Sequence, residues 1–337
     1  MAKYKLAISI PTYERPDCID LMLKEIIETT EKLNIGIYIF DGSPNNNETK
    51  NICEKYKEFT CLNYIKHSGD VKKRHWEAAN IPDCEYLWIC RDRSIIKSEF
   101  YGIILRLLEE KHDIYILTDI TYNIAKKFHL IKSPSDLFKD YLLTMTLFGS
   151  YIVKKEILKA TSESIETKYY KSFALLAKIF QGIANKKDFK ALYTPFDYKT
   201  NCFIVSNSGY LTPEQLFDIW CDDWIGMIDD LPSCYDGYKK QAKHVRDIDF
   251  WKFYTLLDFR MHGSIDLSSV LKYRKTIKQV SSTPFFLFIF ASIIPQKLVK
   301  PFVKIVKPIT NIFEAIYKKV TKEINNAKKS LLNNKKK

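Results

Sequence analysis

Apolar and polar positions in the first 120 residues alternate between short apolar runs and longer amphipathic stretches. The apolar runs end at turn-forming or polar residues and predict five strands, Leu6–Ile10, Ile35–Phe40, Cys61–Ile65, Glu85–Cys90 and Ile114–Leu117. Helical spacing between them predicts four helices, Cys18–Leu33, Asn47–Phe59, Lys72–Asn80 and Ser98–Lys111. This alternation indicates an α/β fold, with a Rossmann-like, mostly parallel sheet and helices on both faces.

Beyond residue 134 the pattern becomes mainly helical. One helix begins at Pro134, a second covers Lys168–Ala184, and two more are predicted near 247–262 and 265–280. A further helix begins at Thr212-Pro213-Glu214, because Thr is a preferred N-cap, Pro fits the first helical position and Gln215 completes a capping box. We therefore expect the sheet to be followed by a mainly helical C-terminal region.

Positive charge is concentrated at one end of the chain. The net charge is +13 over 337 residues, and the stretch from Pro295 to Lys337 contains 12 Lys against Glu314 and Glu323. This tail has no Arg and few aromatic residues, so a nucleic-acid partner is disfavoured despite the basic composition.

Eight cysteines first suggest a disulfide framework, but none forms a C-x-x-C pair and several lie in apolar runs. The chain also begins with a strand and not with an apolar leader. Both features favour a reduced cytoplasmic protein with buried thiols.

The run Pro284–Ile294 is strongly apolar but has only 11 positions, fewer than the roughly 18 needed to span a bilayer. Lysines and apolar residues alternate after it. This composition predicts a segment that lies on an anionic membrane surface, which would place the protein on the inner face of the cell membrane. The alternative is that the run packs against the globular body and the lysines are solvated.

Ligands of open parallel sheets bind beyond the carboxyl ends of the strands. The residues that follow the predicted strands there include an aromatic ring, several carboxylates and several cations, which suit a nucleotide. Neither G-x-G-x-x-G nor G-x-x-x-x-G-K-[ST] is present, so a diphosphate would need a metal or cationic side chains.

Four motifs in this region resemble those of family 2 glycosyltransferases with the GT-A fold. Their order and their positions at strand ends match the family over about 95 residues. They are Ser9-Ile10-Pro11-Thr12-Tyr13-Glu14-Arg15-Pro16, Phe40-Asp41-Gly42-Ser43 with Glu48-Thr49, Lys73-Arg74-His75, and Tyr86-Leu87-Trp88-Ile89-Cys90-Arg91-Asp92-Arg93-Ser94-Ile95.

The resemblance implies a donor site for a nucleotide-diphosphate sugar. Pro11 and Tyr13 would line the base pocket, Asp41 would accept from the base, Arg74 would reach the nucleotide and Asp92 would hold the ribose. The implied donor-binding set also includes Glu14, Lys73 and Arg91. Structural alternatives are that Tyr13 packs, that Asp41 forms an Asx turn and that Arg74 is a solvated helix charge.

The sequence departs from the family at its acidic triplet. Arg91 and Arg93 occupy the positions of the first and last acids, the last being the usual metal ligand. One hypothesis is that Mg²⁺ or Mn²⁺ is used, with Asp92 or other acids as ligands. Another is that no metal is used and Arg93 stabilises the departing diphosphate. The structural alternative is that Arg91 and Arg93 point away and pair with surface acids such as Glu85.

An inverting transfer needs a carboxylate that takes the proton from the acceptor hydroxyl. Glu166 approximates the family's catalytic position, with Asp222 and Asp223 as rivals. Glu166 could equally be a solvated residue near a helix start. Trp220 and Trp224 are spaced for packing on one helix face, and their neighbouring acids match no zinc pattern.

The resemblance implies a nucleotide-sugar-binding half at 1–120, an acceptor-side half at 121–211, a helical extension at 212–283 and a membrane-associating tail at 284–337. It implies an inverting hexosyltransferase, with a UDP-sugar as donor and a glycan or lipid-linked acceptor, in cell-envelope polysaccharide synthesis. The alternative function is a catalytically inactive GT-A-like protein that binds a partner.

Overall fold

The structure is a computed structural model that describes residues 2–44, 47–67, 71–117, 127–159, 172–194, 202–204, 211–245 and 249–301. The candidate base Glu166 and the lysine-rich residues 302–337 lie outside these described residues. All statements below refer to the described part of the chain.

Four strands form the first half of an eight-stranded sheet. They are β1 (Tyr4–Thr12), β2 (Gly36–Asp41), β3 (Leu62–Lys66) and β4 (Cys84–Ile89). They lie in the order β3-β2-β1-β4, and every pair is parallel. The helices among them are α1 (Pro16–Lys32), α2 (Glu48–Glu54), α3 (Val71–Asn80) and α4 (Glu99–Leu108). The predicted parallel α/β half is confirmed.

Of the second half of the sheet, only the first strand was predicted, over Ile114–Leu117. The strands of this half are β6 (Ile114–Ile116), β7 (His129–Ile131), β8 (Tyr151–Lys154) and β9 (Ala191–Tyr193). They continue the order as β4-β8-β6-β9-β7, with three of these four pairings antiparallel. A separate two-stranded ladder joins β5 (Ser94–Ile96) to β10 (Cys202–Ile204). The region after residue 120 therefore completes the sheet as well as adding helices.

The later helices follow the predicted order. They are α5 (Pro134–Tyr141), α6 (Lys155–Lys159), α7 (Ala174–Ile183), α8 (Pro213–Phe217), α9 (Trp224–Asp230), α10 (Asp236–Lys243), α11 (Phe253–Met261), α12 (Leu267–Lys272), α13 (Arg274–Val280) and α14 (Phe285–Ile293). The predicted capping box at Thr212 is present, with reciprocal bonds to Gln215. The helical stretch predicted at about 265–280 is present and is divided at Tyr273 into α12 and α13.

The core explains why the parallel half is stable. All six residues of β2 are buried, as expected for a central strand covered on both faces. One face of α1 is buried against the sheet, and it consists of Cys18, Ile19, Met22, Leu23, Ile26, Ile27 and Thr30. Six cysteines are buried thiols, whereas Cys234 is exposed; the buried ones are Cys18, Cys53, Cys61, Cys84, Cys90 and Cys221.

The chain forms two compact units. The first comprises Met1–Gly209 with Ile219–Ile248, and the second comprises Tyr210–Asp218 with Asp249–Lys337. In the second unit, the Phe217 ring stacks on the rings of Trp251 and Tyr273. The four-segment division by role stays a prediction, since these units are defined by packing alone.

Candidate functional site

The carboxyl ends of the parallel strands bring the predicted donor-site residues to one edge of the sheet. Thr12 at the end of β1 pairs with Asp41 at the end of β2, and Asp41 pairs with Lys66 at the end of β3. The turn that follows β4 carries Asp92. This edge is where ligands bind in open α/β sheets.

Asp41 is completely buried and its carboxylate is occupied by donors from the chain itself. It accepts from the Ser43 amide at 2.9 Å, the Tyr64 hydroxyl at 2.8 Å and the Lys66 ammonium at 3.3 Å. Burial alone would raise the pKa of the Asp41 carboxyl, but these donors hold the pKa below its ordinary value. The Asx turn considered from the sequence is therefore present, and Asp41 is a charged residue that fixes the β2 and β3 ends.

Asp92 is likewise buried, and its carboxylate accepts hydrogen bonds from groups of the chain itself. Its carboxylate is 3% exposed. Arg15 Nη1 lies 3.0 and 3.2 Å from its two oxygens, and the Thr12 hydroxyl donates to it at 3.0 Å. Asp92 thus ties the turn after β4 to the turn after β1. Sequence reasoning had not assigned Arg15 or Thr12 to the site, although both lie inside the first motif.

Arg74, on α3, is also buried, but the chain does not satisfy all of its hydrogen-bond donors. The residue is 4% exposed, yet its Nε and Nη1 atoms are buried without a hydrogen-bond acceptor among the described residues. Burial lowers the pKa of the guanidinium, while the charges of Asp92 and Asp41 oppose that shift. A buried N–H without an acceptor costs about 1–3 kcal/mol, more for a charged group. Such a side chain is suited to an anion or carbonyl oxygen brought by a ligand.

Two neighbours hold Arg74 in place. Its guanidinium carbon lies 5.5 Å from the centre of the Tyr13 ring, within cation–π range. Gly42 lies so close that an added Cβ would be 1.6 Å from Arg74 Nη1. Only glycine leaves this space, so the turn after β2 and α3 are matched to each other.

Tyr13 supplies an exposed aromatic surface at the same edge. The residue is 43% exposed. The next residue, Glu14, has a left-handed backbone with φ of 51°, and the Ser43 hydroxyl accepts from its amide at 2.8 Å. Glu14 therefore fixes the turn that presents Tyr13.

The turn after β4 carries Arg91 and Arg93. The Ser94 amide donates to the Arg91 carbonyl at 3.2 Å and closes the turn. Arg93 is half-buried, and its Nη1 is buried without an acceptor among the described residues. A second guanidinium with an unmatched N–H thus lies beside Asp92 in sequence.

The residues of this turn do not fit a divalent cation. Arg91 and Arg93 cannot be ligands, and both oxygens of Asp92 already accept from Arg15. Within the described ranges there is no group of three His, Cys, Asp or Glu side chains that could hold a metal. We derive no reaction step through a metal.

Three predicted donor-site residues remain, namely Lys73, Pro11 and Arg91. Lys73 has a side chain that is 70% exposed, with its ammonium 3.9 Å from the Glu77 carboxylate. Glu77 also lies 3.1 Å from Nε2 of the buried His67. The donor-binding roles of Lys73, Pro11 and Arg91 stay predictions.

The rival base candidates lie in a π-helix, Asp218–Asp223, between α8 and α9. Asp222 is exposed, and the Asp223 carboxylate accepts from the Ser172 hydroxyl at 2.7 Å. The expected packing of the two tryptophans is confirmed: Trp224 is fully buried and its ring centre lies 5.7 Å from that of Trp220.

No protein-family profile matches the chain, and no curated protein matches it. Solved structures do. S. aureus TarS 1-349 in complex with UDP-GlcNAc matches with a TM-score of 0.55 and 13% identity, over 85% of this chain and 87% of that one. A second structure of S. aureus TarS 1-349 matches with a TM-score of 0.50 and 14% identity, over 85% of this chain and 86% of that one.

The chain has the GT-A fold. Its structural neighbours are GT-A glycosyltransferases, so the resemblance stated from the four motifs is confirmed at the level of the fold. A mannosyltransferase, PcManGT from Pyrobaculum calidifontis in complex with GDP-Man and Mn²⁺, gives only 0.46 at 13% identity over 86% of each chain, too low to support an inference.

Proposed function

We propose that this protein is a glycosyltransferase that moves a sugar from a nucleotide-diphosphate donor to a hydroxyl of a glycan or lipid-linked acceptor. The observation that supports this most directly is Arg74, a buried guanidinium with unmatched N–H groups beside the exposed Tyr13 ring. A nucleotide offers both a base that stacks on the ring and oxygens that accept from the guanidinium. The GT-A fold provides the setting in which such a donor is bound.

The donor is proposed to be a UDP-sugar. UDP-GlcNAc is the ligand named for the TarS complex, so it is the first donor to test. Asp41 and Asp92 act in this proposal mainly by fixing the strand ends, since their oxygens already have donors. A direct contact from Asp41 to the base, or from Asp92 to the ribose, would have to share or displace those donors.

The transfer is proposed to be a single displacement with inversion. The acceptor oxygen attacks the anomeric carbon, the bond from that carbon to the diphosphate oxygen breaks, and its electron pair stays on the diphosphate. The acceptor proton passes to a carboxylate, for which Glu166 is the first candidate and Asp222 and Asp223 are the rivals.

Arg93 is proposed to stabilise the charge that develops on the diphosphate. A fixed positive charge at that position lowers the barrier, and a guanidinium can bind phosphate oxygens in a bidentate way. The sequence left Mg²⁺ or Mn²⁺, held by Asp92, as the rival source of that charge; the occupation of both Asp92 oxygens by Arg15 favours the arginine.

The test separates binding from chemistry. Purified full-length protein is titrated with UDP, UDP-GlcNAc and a panel of other nucleotide sugars by calorimetry, in excess EDTA and again with Mn²⁺ or Mg²⁺. Release of free nucleoside diphosphate is then followed with and without candidate acceptors. Saturable binding of one donor with slow hydrolysis supports the transferase; absence of binding to any nucleotide sugar in both conditions would contradict it.

The catalytically inactive alternative rests on the same arginines, because Arg91 and Arg93 stand where the family has acids. It predicts donor binding without any release of nucleoside diphosphate. The same two measurements therefore distinguish a transferase from a protein that only binds nucleotide sugar.

A further inference from the structure

The outward face of α14 in the second unit is an exposed apolar stripe. Phe286, Phe290 and Ile293 are 66%, 42% and 53% exposed, and they recur at the i, i+4 and i+7 positions of one helix face. The opposite face is buried, with Phe288 against the Trp251 ring at 5.6 Å between centres. The helix is therefore anchored in the unit by one face. On the other face Phe286 and Ile293 are mostly exposed, while the half-exposed Phe290 ring lies 6.0 Å from the ring of Phe253.

The stripe borders an open groove with a volume of about 590 Å³. Its lining is entirely apolar and aromatic, including Phe253, Phe285 and Ile289 beside the stripe itself. A contiguous apolar surface of this kind marks a site that something covers.

The charge next to the stripe indicates what covers it. From Ile294 to Pro301 the chain has Lys297 and Lys300, both exposed, and no acidic residue. Residues 302–337 add ten lysines against two glutamates in the sequence. An anionic partner is attracted by this excess, whereas a second copy of the same face would be repelled by it.

The dimensions favour a position on a bilayer over a path through it. Among the described residues, no single helix is long and apolar enough to cross a membrane. Only α13 and α14 taken together reach the necessary length and apolar content, and they are bent by 120° relative to each other. The nine residues of α14 span about 14 Å, against a hydrocarbon core of about 30 Å. In addition, α13 carries the exposed charges Arg274, Lys275 and Lys278.

We propose that the exposed face of α14 inserts into the interface of an anionic lipid bilayer, with Lys297 and Lys300 contacting the headgroups. The aromatic stripe enters the boundary between headgroups and acyl chains, which is the usual position of a short amphipathic helix. The inference does not depend on the proposed transferase activity.

The test is co-sedimentation of the full chain with vesicles. Vesicles of phosphatidylcholine alone are compared with vesicles that contain phosphatidylglycerol, at low and high salt. We expect binding to the anionic vesicles, weaker binding to the neutral ones, and loss of affinity as salt rises. The double variant Phe286→Ser/Ile293→Ser should weaken binding by about tenfold or more, because it removes apolar area that enters the interface.

A matched control uses the same residue types elsewhere. Phe128 and Ile103 are 61% and 42% exposed and belong to the first unit, so Phe128→Ser/Ile103→Ser should bind vesicles like the wild type. Circular dichroism and thermal unfolding check that both double variants fold. No sedimentation with anionic vesicles, or equal loss in both double variants, would overturn the proposal. A wild-type dimer that Phe286→Ser/Ile293→Ser abolishes, without vesicle binding, would also overturn it and assign the face to a second copy.

Discussion

Two sets of charged side chains share one edge of the sheet and have opposite surroundings. The carboxylates of Asp41 and Asp92 are buried and accept hydrogen bonds from several groups of the chain. The guanidiniums of Arg74 and Arg93 contain buried nitrogens without an acceptor among the described residues. Because the chain satisfies the acceptors of the two acids, these acids fix the strand ends and turns of the site. Because it leaves donors of the two arginines unsatisfied, these donors are available to a ligand.

The comparison shows that burial alone does not identify a binding residue. Asp41 and Arg74 are both nearly inaccessible, at 0% and 4% exposure. They differ in whether the fold itself satisfies their hydrogen-bonding capacity. A satisfied buried charge contributes to stability when intact, whereas an unsatisfied one costs stability and is expected to be retained for a ligand.

The largest effect is expected on replacing Asp41. Asp41→Ala leaves the Tyr64 hydroxyl, the Lys66 ammonium and the Ser43 amide without their acceptor, and should lower the free energy of unfolding by about 3–5 kcal/mol. Urea denaturation measures this. The exposed Glu28→Ala is the control and should change it by less than about 0.5 kcal/mol. If Asp41→Ala lowers the free energy of unfolding only slightly, the structural role assigned to the buried acids is contradicted.

Arg93→Ala should leave the unfolding free energy nearly unchanged but lower kcat by about 10²-fold, equal to about 2.7 kcal/mol in the barrier. Turnover by the wild type should survive excess EDTA. Arg106→Ala, an exposed arginine on α4, is the control and should retain full kcat. If EDTA abolishes turnover while Arg93→Ala retains it, a metal stabilises the leaving group.

Arg74→Met should separate binding from stability most clearly. It removes a buried charge without acceptors, so the unfolding free energy should stay the same or rise by about 1 kcal/mol. Donor affinity should fall at least about tenfold, because a charge-assisted contact is lost. Calorimetry and denaturation together check this. A fall in stability of several kcal/mol with unchanged affinity would place Arg74 among the structural charges.

Gly42→Ala tests the position of the Arg74 guanidinium without replacing the arginine. The added Cβ would meet Arg74 Nη1 at 1.6 Å, so the arginine must move and donor affinity should fall by up to about tenfold. Gly102→Ala on α4 is the control, since nothing lies within 4 Å of its Cβ position. It should bind donor normally and be slightly more stable, because Ala favours a helix. Equal affinity in both variants would contradict the close fit of Gly42 and Arg74.

The smallest effect concerns pH. The pKa of Asp41 is lowered from its ordinary value of 3.8, so its contribution to stability is present above that value and is lost as the pH falls through the lower folded pKa. Acid should therefore destabilise the wild type more steeply than Asp41→Asn. Denaturation between neutral and acidic pH compares the two slopes, and parallel slopes would contradict the assignment.

Much of the parallel half was predictable because its signals are local. The apolar run Leu6–Ile10 lies inside β1, and the run Ile35–Phe40 matches β2 with an offset of one residue. The helix predicted over Lys72–Asn80 matches α3. Of the second half only β6 was predicted, and the unpredicted strands β7 and β9 have only three residues each. That length is too short for an alternating pattern to be distinguished from a loop or a buried helical turn.

The candidate site divides in the same way. The motifs placed Tyr13, Asp41, Arg74 and Asp92 near one sheet edge, because parallel strands end on the same side. They did not indicate that Tyr64 would bind Asp41, a partner 23 residues away in the chain. Whether a charged side chain is satisfied depends on such partners, which a single sequence does not identify.

The sequence by itself determined the order of the parallel strands and their helices in the first 120 residues, the GT-A resemblance, the capped helix at Thr212 and the concentration of positive charge in the C-terminal stretch. The tertiary structure decided which charges are satisfied by the fold, how the second half of the sheet is paired, and which face of α14 is exposed. The physical reason is range: helix periodicity and turn preferences act between near neighbours, whereas burial and hydrogen-bond satisfaction depend on groups that only folding brings together.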